Sequence, residues 1–332
     1  MINRLLVAVM ALALGVLSLP LAMGAQEGKA GKVARIGRLS PLSAETDRPN
    51  LEAFRKGLRE LGWVEGRSFT IESRFADGQP ERLPELAAEL IRQRVDLILT
   101  GSTPGALAAK KATGTIPIVM VTTGDPVRDG LVASLARPGG NVTGVTALGQ
   151  ALDMKRLELI KEAVPGVTRV AVLVDPDSYY TAPFLKEKDV AARRLGVELR
   201  MLEVHDADTL EKVLATATAE RVGALMVQTN ANFITHRNRI VAGIAKSRLP
   251  AVYGDRTFVD AGGLMFYGAS LATMYGDAAV YADRILKGAR PADLPVEQPT
   301  KLELVLNRKT ARTLGLTLPP AMLARVDHMV ER

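Results

Sequence analysis

The sequence predicts an α/β protein made of two doubly wound lobes, each a parallel sheet covered by helices and joined to the other by a three-crossing hinge. Short apolar runs rich in Val, Ile and Leu alternate with helical patterns, and this alternation is typical of parallel sheets. The alternation stops at GNVTG, residues 140–144, and then starts again. The length of 332 residues is also enough for about two domains.

Four strand-like runs and one clear helical pattern predict the first lobe. The runs are RIGRLS (35–40), FTIESRF (69–75), VDLILTG (95–101) and PIVMVTTG (117–124). After the first run, apolar residues recur at steps of three and four, as in an amphipathic helix, at Leu51, Phe54, Leu58 and Leu61. Gly62 is expected to end this helix as its C-terminal cap.

The second lobe shows the same rhythm, followed by two short tails. Its runs are RVAVLVDP (169–176), VELRMLEV (197–204), GALMVQTN (223–230) and PAVYGD (250–255), and the tails carry GGLMFYG (262–268) and LELVLN (302–307). Neither tail is large enough for a domain, so we expect the chain to cross between the lobes three times. Such a hinge lets two lobes close around a ligand. The expected bounds are 32–146 plus 267–297 for the first lobe and 147–266 plus 298–332 for the second.

The N-terminal residues are predicted to be a signal peptide. Arg4 is followed by thirteen uninterrupted apolar or Gly residues ending at Leu17, which is the length of a signal-peptide core. Pro20 interrupts the pattern before the roughly 20 residues that a transmembrane helix needs. We assign residues 1–25 to the signal peptide, with cleavage between residues 24 and 30, and the alternative is an uncleaved N-terminal anchor.

Composition excludes several classes of protein. With no Cys, the chain has no disulfide, thiolate metal site, cysteine nucleophile or acylated lipoprotein cysteine. The three His residues, at positions 205, 236 and 328, have no second His at ligand spacing, so neither a metal nor another cofactor is predicted. The net charge of +7 is spread along the chain rather than gathered in one patch, which argues against nucleic acid as a partner. We expect an exported, soluble monomer without stable membrane insertion after cleavage.

Candidate ligand-binding residues follow the strands, because ligands of doubly wound sheets lie outside the carboxyl ends of the strands. In the first lobe the candidates are Ser40, Gly101, Ser102, Thr103, Thr122, Thr123 and Asp125. In the second lobe they are Asp175, Tyr179, Gln228, Asn230, Asp255 and Phe258.

The segment after the third strand is suited to an anion. Thr103 can cap a helix whose first position is Pro104, and the free N–H groups of such a helix start, with the hydroxyls of Ser102 and Thr103, favour a carboxylate. Ordinary capping with nothing bound is the alternative. Gly101 to Gly105 also resembles the G-x-S-x-G nucleophile elbow, but Pro104 has no N–H to donate to an oxyanion.

Two other features leave alternatives open. Asp125 precedes Pro126, and it either caps a helix beginning PVRDGLVASLA or contacts a ligand cation. Seven aromatic residues lie in the second lobe or its exit, near strand ends, where they can pack against a ligand side chain or fill the core. These are Tyr179, Tyr180, Phe233, Tyr253, Phe258, Phe266 and Tyr267. No dinucleotide-binding, P-loop or H-E-x-x-H motif occurs.

Six blocks, in order along nearly all of the mature chain, carry a family resemblance. They are RIGRLSPLSAE, LEAFRKGLRELGWVEGRSFTIESRFADGQPERLPELAAELI, GSTPGALAAKKATGTIPIVM, GDPVRDGLVASLARPGGNVTG, LPAVYGDRTFVDAGGLMFYG and ILKGARPADLPVEQPTKLELVLNRKTARTLGLTLPP. Together they closely resemble the ABC-transporter substrate-binding proteins of the tryptophan/tyrosine type. The resemblance implies a type I periplasmic-binding fold, a periplasmic location, and delivery of a small solute to a membrane permease driven by a cytoplasmic ATPase.

The resemblance also implies a mode of binding for an amino-acid ligand. Its carboxylate would lie near Ser102 and Thr103, its ammonium near one of Asp125, Asp175 or Asp255, and its side chain against the aromatic residues. We therefore expect an extracytoplasmic solute receptor of an ABC importer, for an amino acid or related carboxylate. An exported sensor for a membrane receptor is one alternative. An exported α/β enzyme using an aspartate base is the other, although the sequence has no recognisable nucleophile, base pair or metal set.

Overall fold

The computed structural model describes residues 33–175, 182–205 and 209–331. The predicted signal peptide and the candidate Tyr179 lie outside these residues. In the part of the chain that is described, no helix is long and apolar enough to cross a membrane.

The first lobe is a five-stranded parallel sheet in the order β2-β1-β3-β4-β5. Its strands are β1 (Ala34–Ser40), β2 (Phe69–Phe75), β3 (Leu97–Thr100), β4 (Ile118–Thr122) and β5 (Val142–Thr146). Its helices are α1 (Ala44–Glu60), α2 (Leu83–Arg92) and α3 (Thr103–Ala112), with a short 3-10 helix at Pro80–Arg82. The apolar residues that predicted α1, such as Phe54 and Leu58, are fully buried against the sheet.

The second lobe is a seven-stranded sheet in the order β12-β11-β10-β9-β8-β6-β7. Its strands are β6 (Arg169–Val174), β7 (Glu198–Glu203), β8 (Ala224–Val227), β9 (Ala251–Tyr253), β10 (Met265–Gly268), β11 (Glu303–Asn307) and β12 (His328–Val330). The helices from its start to β10 are α4 (Asp153–Ala163), α5 (Ala182–Arg194), α6 (Leu210–Ala219), α7 (Ala231–Thr235), α8 (Arg237–Lys246) and α9 (Thr257–Asp260). The pairing of β10 with β11 is antiparallel, so the expectation of purely parallel sheets is wrong at this one pair.

The chain passes between the two sheets three times. After β5 it enters the second lobe through a 3-10 helix at Gly149–Leu152, and after β10 it returns with α10 (Leu271–Leu286). This helix packs closely on α1, since a Cβ on Gly57 would lie only 2.7 Å from the Cβ of Ala279. A further 3-10 helix (Pro291–Asp293) and a bridge between Val145 and Glu297 complete the return. The chain then crosses back to β11, α11 (Arg308–Thr313), α12 (Pro320–Leu323) and β12.

Both sheets are therefore covered on two faces, and the predicted α/β architecture is confirmed. In the first lobe α1 and α10 cover one face, while α2 and α3 cover the other. In the second lobe α6 and α8 lie on one face, and α4, α11 and α12 on the other. This arrangement leaves the carboxyl ends of the strands as the open edge of each lobe, where side chains of both lobes can meet.

One predicted helix does not form. The segment PVRDGLVASLA, expected to be helical after Asp125, is a series of turns. The N–H of Leu131 donates to the carbonyl of Pro126 at 2.8 Å, and Gly130 has φ +70, a left-handed conformation that ends any helix. The turns place Asp129 inward, where it is 8% exposed.

Candidate functional site

A cavity of about 180 Å³ lies between the lobes, at the carboxyl ends of the strands of both sheets. This is many times the space that one water molecule needs. The first lobe contributes residues that follow β1, β3, β4 and β5, and the second contributes residues that follow β6, β8, β9 and β10. The cavity therefore has room for a small solute that contacts both lobes.

The start of α3 forms one side of the cavity. Ser102, and not Thr103 as expected, is the N-cap: its Oγ accepts from the N–H of Gly105 at 3.0 Å. Thr103 is instead the first helical residue, followed by Pro104, and its hydroxyl lies 2.8 Å from the hydroxyl of Thr122. Both residues can cap a helix, but the Thr103 hydroxyl is engaged by Thr122, and Ser102 is the cap.

Asp129 is an acidic residue of the first lobe that sequence reasoning did not select. Its Oδ2 lies 3.5 Å from the hydroxyl of Thr103, and its Oδ1 accepts from Arg128 at 3.1 Å. Burial raises the pKa of Asp129, although Arg128 acts in the opposite direction. A buried carboxylate with a raised pKa is short of compensating positive charge.

Tyr275 reaches the cavity from α10 and is held by a buried ion pair. Its hydroxyl accepts from Nη2 of Arg38 at 2.7 Å, and the guanidinium lies 5.0 Å from the centre of its ring. Arg38 also binds Asp47 through two hydrogen bonds, of 2.5 and 2.8 Å, and both side chains are fully buried. The hydroxyl lies so close to Gly101 that a Cβ there would be 1.8 Å from it.

On the second lobe, polar side chains follow β6, β8 and β9. Asn230 is the N-cap of α7, because its Oδ1 accepts from the N–H of Phe233 at 2.8 Å. Its amide nitrogen is buried and has no hydrogen-bond partner among the described residues. Asp175 accepts from Nδ2 of Asn232 at 3.3 Å, and its N–H donates to Oε1 of Gln228 at 3.1 Å.

Asp255 follows β9 and is 4% exposed. Its Oδ1 accepts from the N–H of Thr257 at 2.8 Å and from the hydroxyl of the same residue. Burial raises the pKa of Asp255, while these hydrogen bonds and Arg237 lower it. The net upward direction means that burial outweighs them.

Arg156 connects the cavity wall to the crossings of the hinge. Its Nε donates to the carbonyl of Tyr267 at 2.8 Å, and its Nη1 donates to the carbonyl of Gly149 at 2.9 Å. Nη1 also lies 2.6 Å from Oδ1 of Asp153, whose other oxygen contacts Lys188. The positive charge of Arg156 is thus balanced by an acidic partner.

Eight of the predicted site residues line the cavity. They are Gly101, Ser102, Thr103, Thr123, Asp175, Gln228, Asn230 and Asp255. These residues were selected because each follows the end of a predicted strand, and this criterion found lining residues in both lobes.

Four other candidates do not line the cavity. Ser40 is buried and accepts from the N–H of Leu42 at 3.2 Å, and Thr122 lies behind Thr103. Asp125 caps the turn that follows it, since its Oδ1 accepts from the N–H groups of residues 127 and 128. Phe258 is in the core, 1% exposed and stacked on Tyr253 with ring centres 4.9 Å apart.

The aromatic residues of the second lobe mostly fill its core. Phe233, Tyr253, Phe258 and Phe266 are each at most 2% exposed. Among the described residues that line the cavity, the single aromatic side chain is that of Tyr275. Sequence reasoning missed Tyr275 because it lies on a helix, four residues beyond the start of α10, rather than at a strand end.

The described residues contain no group of three or more His, Cys, Asp or Glu side chains that could hold a metal ion. The cavity lining combines apolar side chains, among them Leu42, Ile234 and Leu271, with hydrogen-bond donors, acceptors and carboxylates. This mixture suits a small solute that has a polar and an apolar part.

A sequence model of the family described as "ABC transporter substrate binding protein" matches residues 36–330. The chain belongs to this family. A "Tyrosine-binding protein" of Clostridioides difficile (strain R20291) is 27% identical over 280 residues, which cover 83% of this chain and 80% of that protein.

Solved structures show the same fold. A conserved domain protein of Vibrio cholerae has a TM-score of 0.82 and 24% identity, and covers 90% of this chain and 100% of that one. An ABC domain of Streptococcus pneumoniae in complex with L-Trp has a TM-score of 0.81 and 25% identity, with the same coverage. These matches confirm the predicted resemblance to the ABC-transporter substrate-binding proteins of the tryptophan/tyrosine type.

Proposed function

We propose that this substrate-binding protein is the periplasmic solute receptor of an ABC importer and not an enzyme. Its lobes close around one small solute, an amino acid or related carboxylate, and deliver it to a membrane permease driven by a cytoplasmic ATPase. The protein acts as an exported, soluble monomer.

One observation carries this proposal: a single cavity is lined by the strand ends of both lobes, and the chain crosses between those lobes three times. A solute that contacts both lobes binds their closed arrangement more tightly than their open one, so it shifts the population toward closure. A permease can then distinguish the loaded receptor from the empty one by its shape.

The polarity of the cavity supports an amino acid. The start of α3 brings the positive end of a helix dipole, which favours a carboxylate. Carboxylates from both lobes, including Asp129, Asp175 and Asp255, favour an ammonium group. The Clostridioides difficile relative is named for tyrosine, and the Streptococcus pneumoniae structure holds L-Trp, so aromatic amino acids are the first ligands to test.

The test is native mass spectrometry of the mature protein as purified, followed by thermal-shift titration with amino acids and simple carboxylates. A solute that binds only the folded protein stabilises it by about 2.7 kcal/mol at a hundred times its Kd. That corresponds to a rise in melting temperature of several degrees. We expect a co-purified small molecule or a concentration-dependent rise.

A matched pair of variants locates the binding. Thr123→Arg places a long cation in the cavity and should abolish the shift, whereas Thr115→Arg, at an exposed position, should retain it. No shift in the wild type with any amino acid or simple carboxylate would overturn the assignment of the solute class. An equal shift in both variants would place binding outside this cavity.

A further inference from the structure

The hydroxyl of Tyr275 has a hydrogen that no described residue accepts. Its hydrogen-bond partner is Nη2 of Arg38, at 2.7 Å. Arginine is only a donor, so the phenol oxygen must be the acceptor in this bond, and its own O–H is still available. Burial raises the pKa of Tyr275 to about 12, so the hydroxyl keeps its hydrogen at neutral pH. Tyr275 therefore supplies a fixed donor in the cavity wall.

Three buried groups hold this donor in place. Asp47 fixes Arg38 through two hydrogen bonds, and Nη1 of Arg38 lies 3.4 Å from the carbonyl of Leu39. A buried ion pair of this kind is often no more stable than apolar residues of the same volume, so it is weak support for stability alone. Its geometric effect is to aim the Tyr275 hydroxyl at Gly101, where the missing side chain leaves space.

Asp129 supplies a hydrogen-bond acceptor with a negative charge. It lies beside Thr103, which is two residues after Gly101 in the sequence. Its side chain is 2% exposed, and among the described residues Oδ2 has only a long contact of 3.5 Å, with the hydroxyl of Thr103. Arg128, the cation that binds Oδ1, is itself partly exposed, so water weakens its compensation of the charge. A ligand cation in the cavity would complete the pairing of this carboxylate.

The two groups lie beside nearby positions of one segment, as the head of an α-amino acid requires. Tyr275 contacts this segment at Gly101 and Asp129 contacts it at Thr103, and the Cα atoms of Gly101 and Thr103 are at most about 7.6 Å apart. An α-amino acid carries its carboxylate and ammonium on one carbon, so a donor and a carboxylate at nearby positions can bind one charge each.

We infer that Tyr275 and Asp129 form the head-group site for an α-amino acid, with the Tyr275 hydroxyl donating to the ligand carboxylate and Asp129 accepting from the ligand ammonium. This inference rests on the proposed function and deepens it. It assigns the ammonium partner to the first lobe, whereas Asp175 and Asp255 line the cavity from the second lobe. The solute side chain then points toward the second lobe.

The test is calorimetric titration of three probes that differ only in the head group. L-Tyrosine carries both charges, tyramine lacks the carboxylate, and 3-(4-hydroxyphenyl)propionate lacks the ammonium. If another amino acid gives the larger thermal shift, its own amine and acid analogues replace these probes. Each probe is measured against the wild type, Tyr275→Phe and Asp129→Asn.

A crossed pattern is expected. Tyr275→Phe should weaken binding of L-tyrosine and of the propionate by about 10- to 100-fold, the usual range for a hydrogen bond to a charged group, and leave tyramine unchanged. Asp129→Asn should weaken binding of L-tyrosine and of tyramine by a similar factor, and leave the propionate unchanged. A merely structural role would weaken all three probes alike.

Two control variants match the chemistry of each change away from the cavity. Tyr281→Phe removes a buried hydroxyl of the same helix, which donates to the carbonyl of Pro295 at 2.6 Å. Asp283→Asn neutralises a largely buried carboxylate that accepts from Trp63 at 2.8 Å. Both should bind all three probes as the wild type does.

The outcomes separate the two proposals. Tyr275→Phe leaves a donor of Arg38 without its acceptor, so the folding of each variant is checked by circular dichroism. If Tyr275→Phe does not fold, the Asp129→Asn results still test the assignment by themselves. A wild type that binds no amino acid overturns the proposed solute class and this inference with it. A wild type that binds L-tyrosine, with variants that bind as tightly or lose all probes equally, overturns only the head-group assignment.

Discussion

The close approach of Tyr275 to Gly101 makes Gly101→Ala a direct test of the buried cluster. A Cβ at this position would lie 1.8 Å from the Tyr275 oxygen and 3.0 Å from Nη2 of Arg38. Since ordinary nonbonded contacts need about 3.5 Å, the hydroxyl must move by roughly 1.7 Å. That movement breaks its 2.7 Å hydrogen bond with Arg38.

Two effects add to the expected loss of stability. Overpacking a buried site costs about 1–3 kcal/mol. A buried donor of Arg38 left without its acceptor costs about 1–3 kcal/mol more. We therefore expect the free energy of unfolding of Gly101→Ala to fall by about 2–6 kcal/mol relative to the wild type.

Equilibrium denaturation in urea, followed by circular dichroism, measures this difference. The matched control is Gly114→Ala, because Gly114 is exposed and a Cβ there would meet no atom within 4 Å. The control should change the free energy of unfolding by no more than about 1 kcal/mol, and toward greater stability. If Gly101→Ala behaves like this control, the reasoning about the packed cluster is refuted.

Three further predictions concern buried charges. Asp47→Asn leaves the Arg38 guanidinium without its carboxylate, and urea denaturation should show a loss of about 3–5 kcal/mol in the free energy of unfolding. Burial raises the pKa of Asp129, so calorimetry should show amino-acid affinity falling as the pH drops through that pKa, and Asp129→Asn should remove this dependence. Burial also raises the pKa of Asp255, so ionisation of this carboxyl removes stability as the pH rises through that pKa. The Asn side chain of Asp255→Asn can still accept the hydrogen bonds from Thr257. The melting temperature of this variant should exceed that of the wild type at neutral pH, by a margin that shrinks in acid. Equal melting temperatures at every pH would contradict this.

Much of the fold could be predicted because strand ends and apolar periodicity are local in sequence. The run VDLILTG predicted β3, and its end correctly placed Gly101, Ser102 and Thr103 beside the cavity. The capping residue was misplaced by one position because Ser102 and Thr103 have the same capping chemistry. The contacts of Thr103 with the distant residues Thr122 and Asp129 distinguish them.

The parts that could not be predicted depend on contacts between distant residues. Arg38 lies in a strand where a charged residue suggests a surface position, yet it is fully buried, because Asp47 and Tyr275 both bind it. Tyr275 is 237 residues away from Arg38 in sequence, so no local pattern connects them. Asp129 was overlooked because its segment was expected to be a helix, and the turn at Gly130 instead directs it inward.

The hinge and the cavity share a side chain. Arg156 lines the cavity, and it donates to the carbonyl of Gly149 on the first crossing and to that of Tyr267 just before the second. A planar guanidinium fixes the directions of its partners, which a lysine ammonium would not. Because the two crossings are held by the same rigid group, a change in the angle between the lobes must move the cavity wall at Arg156. The lobe closure that we propose would therefore change the shape that the cavity offers to a solute.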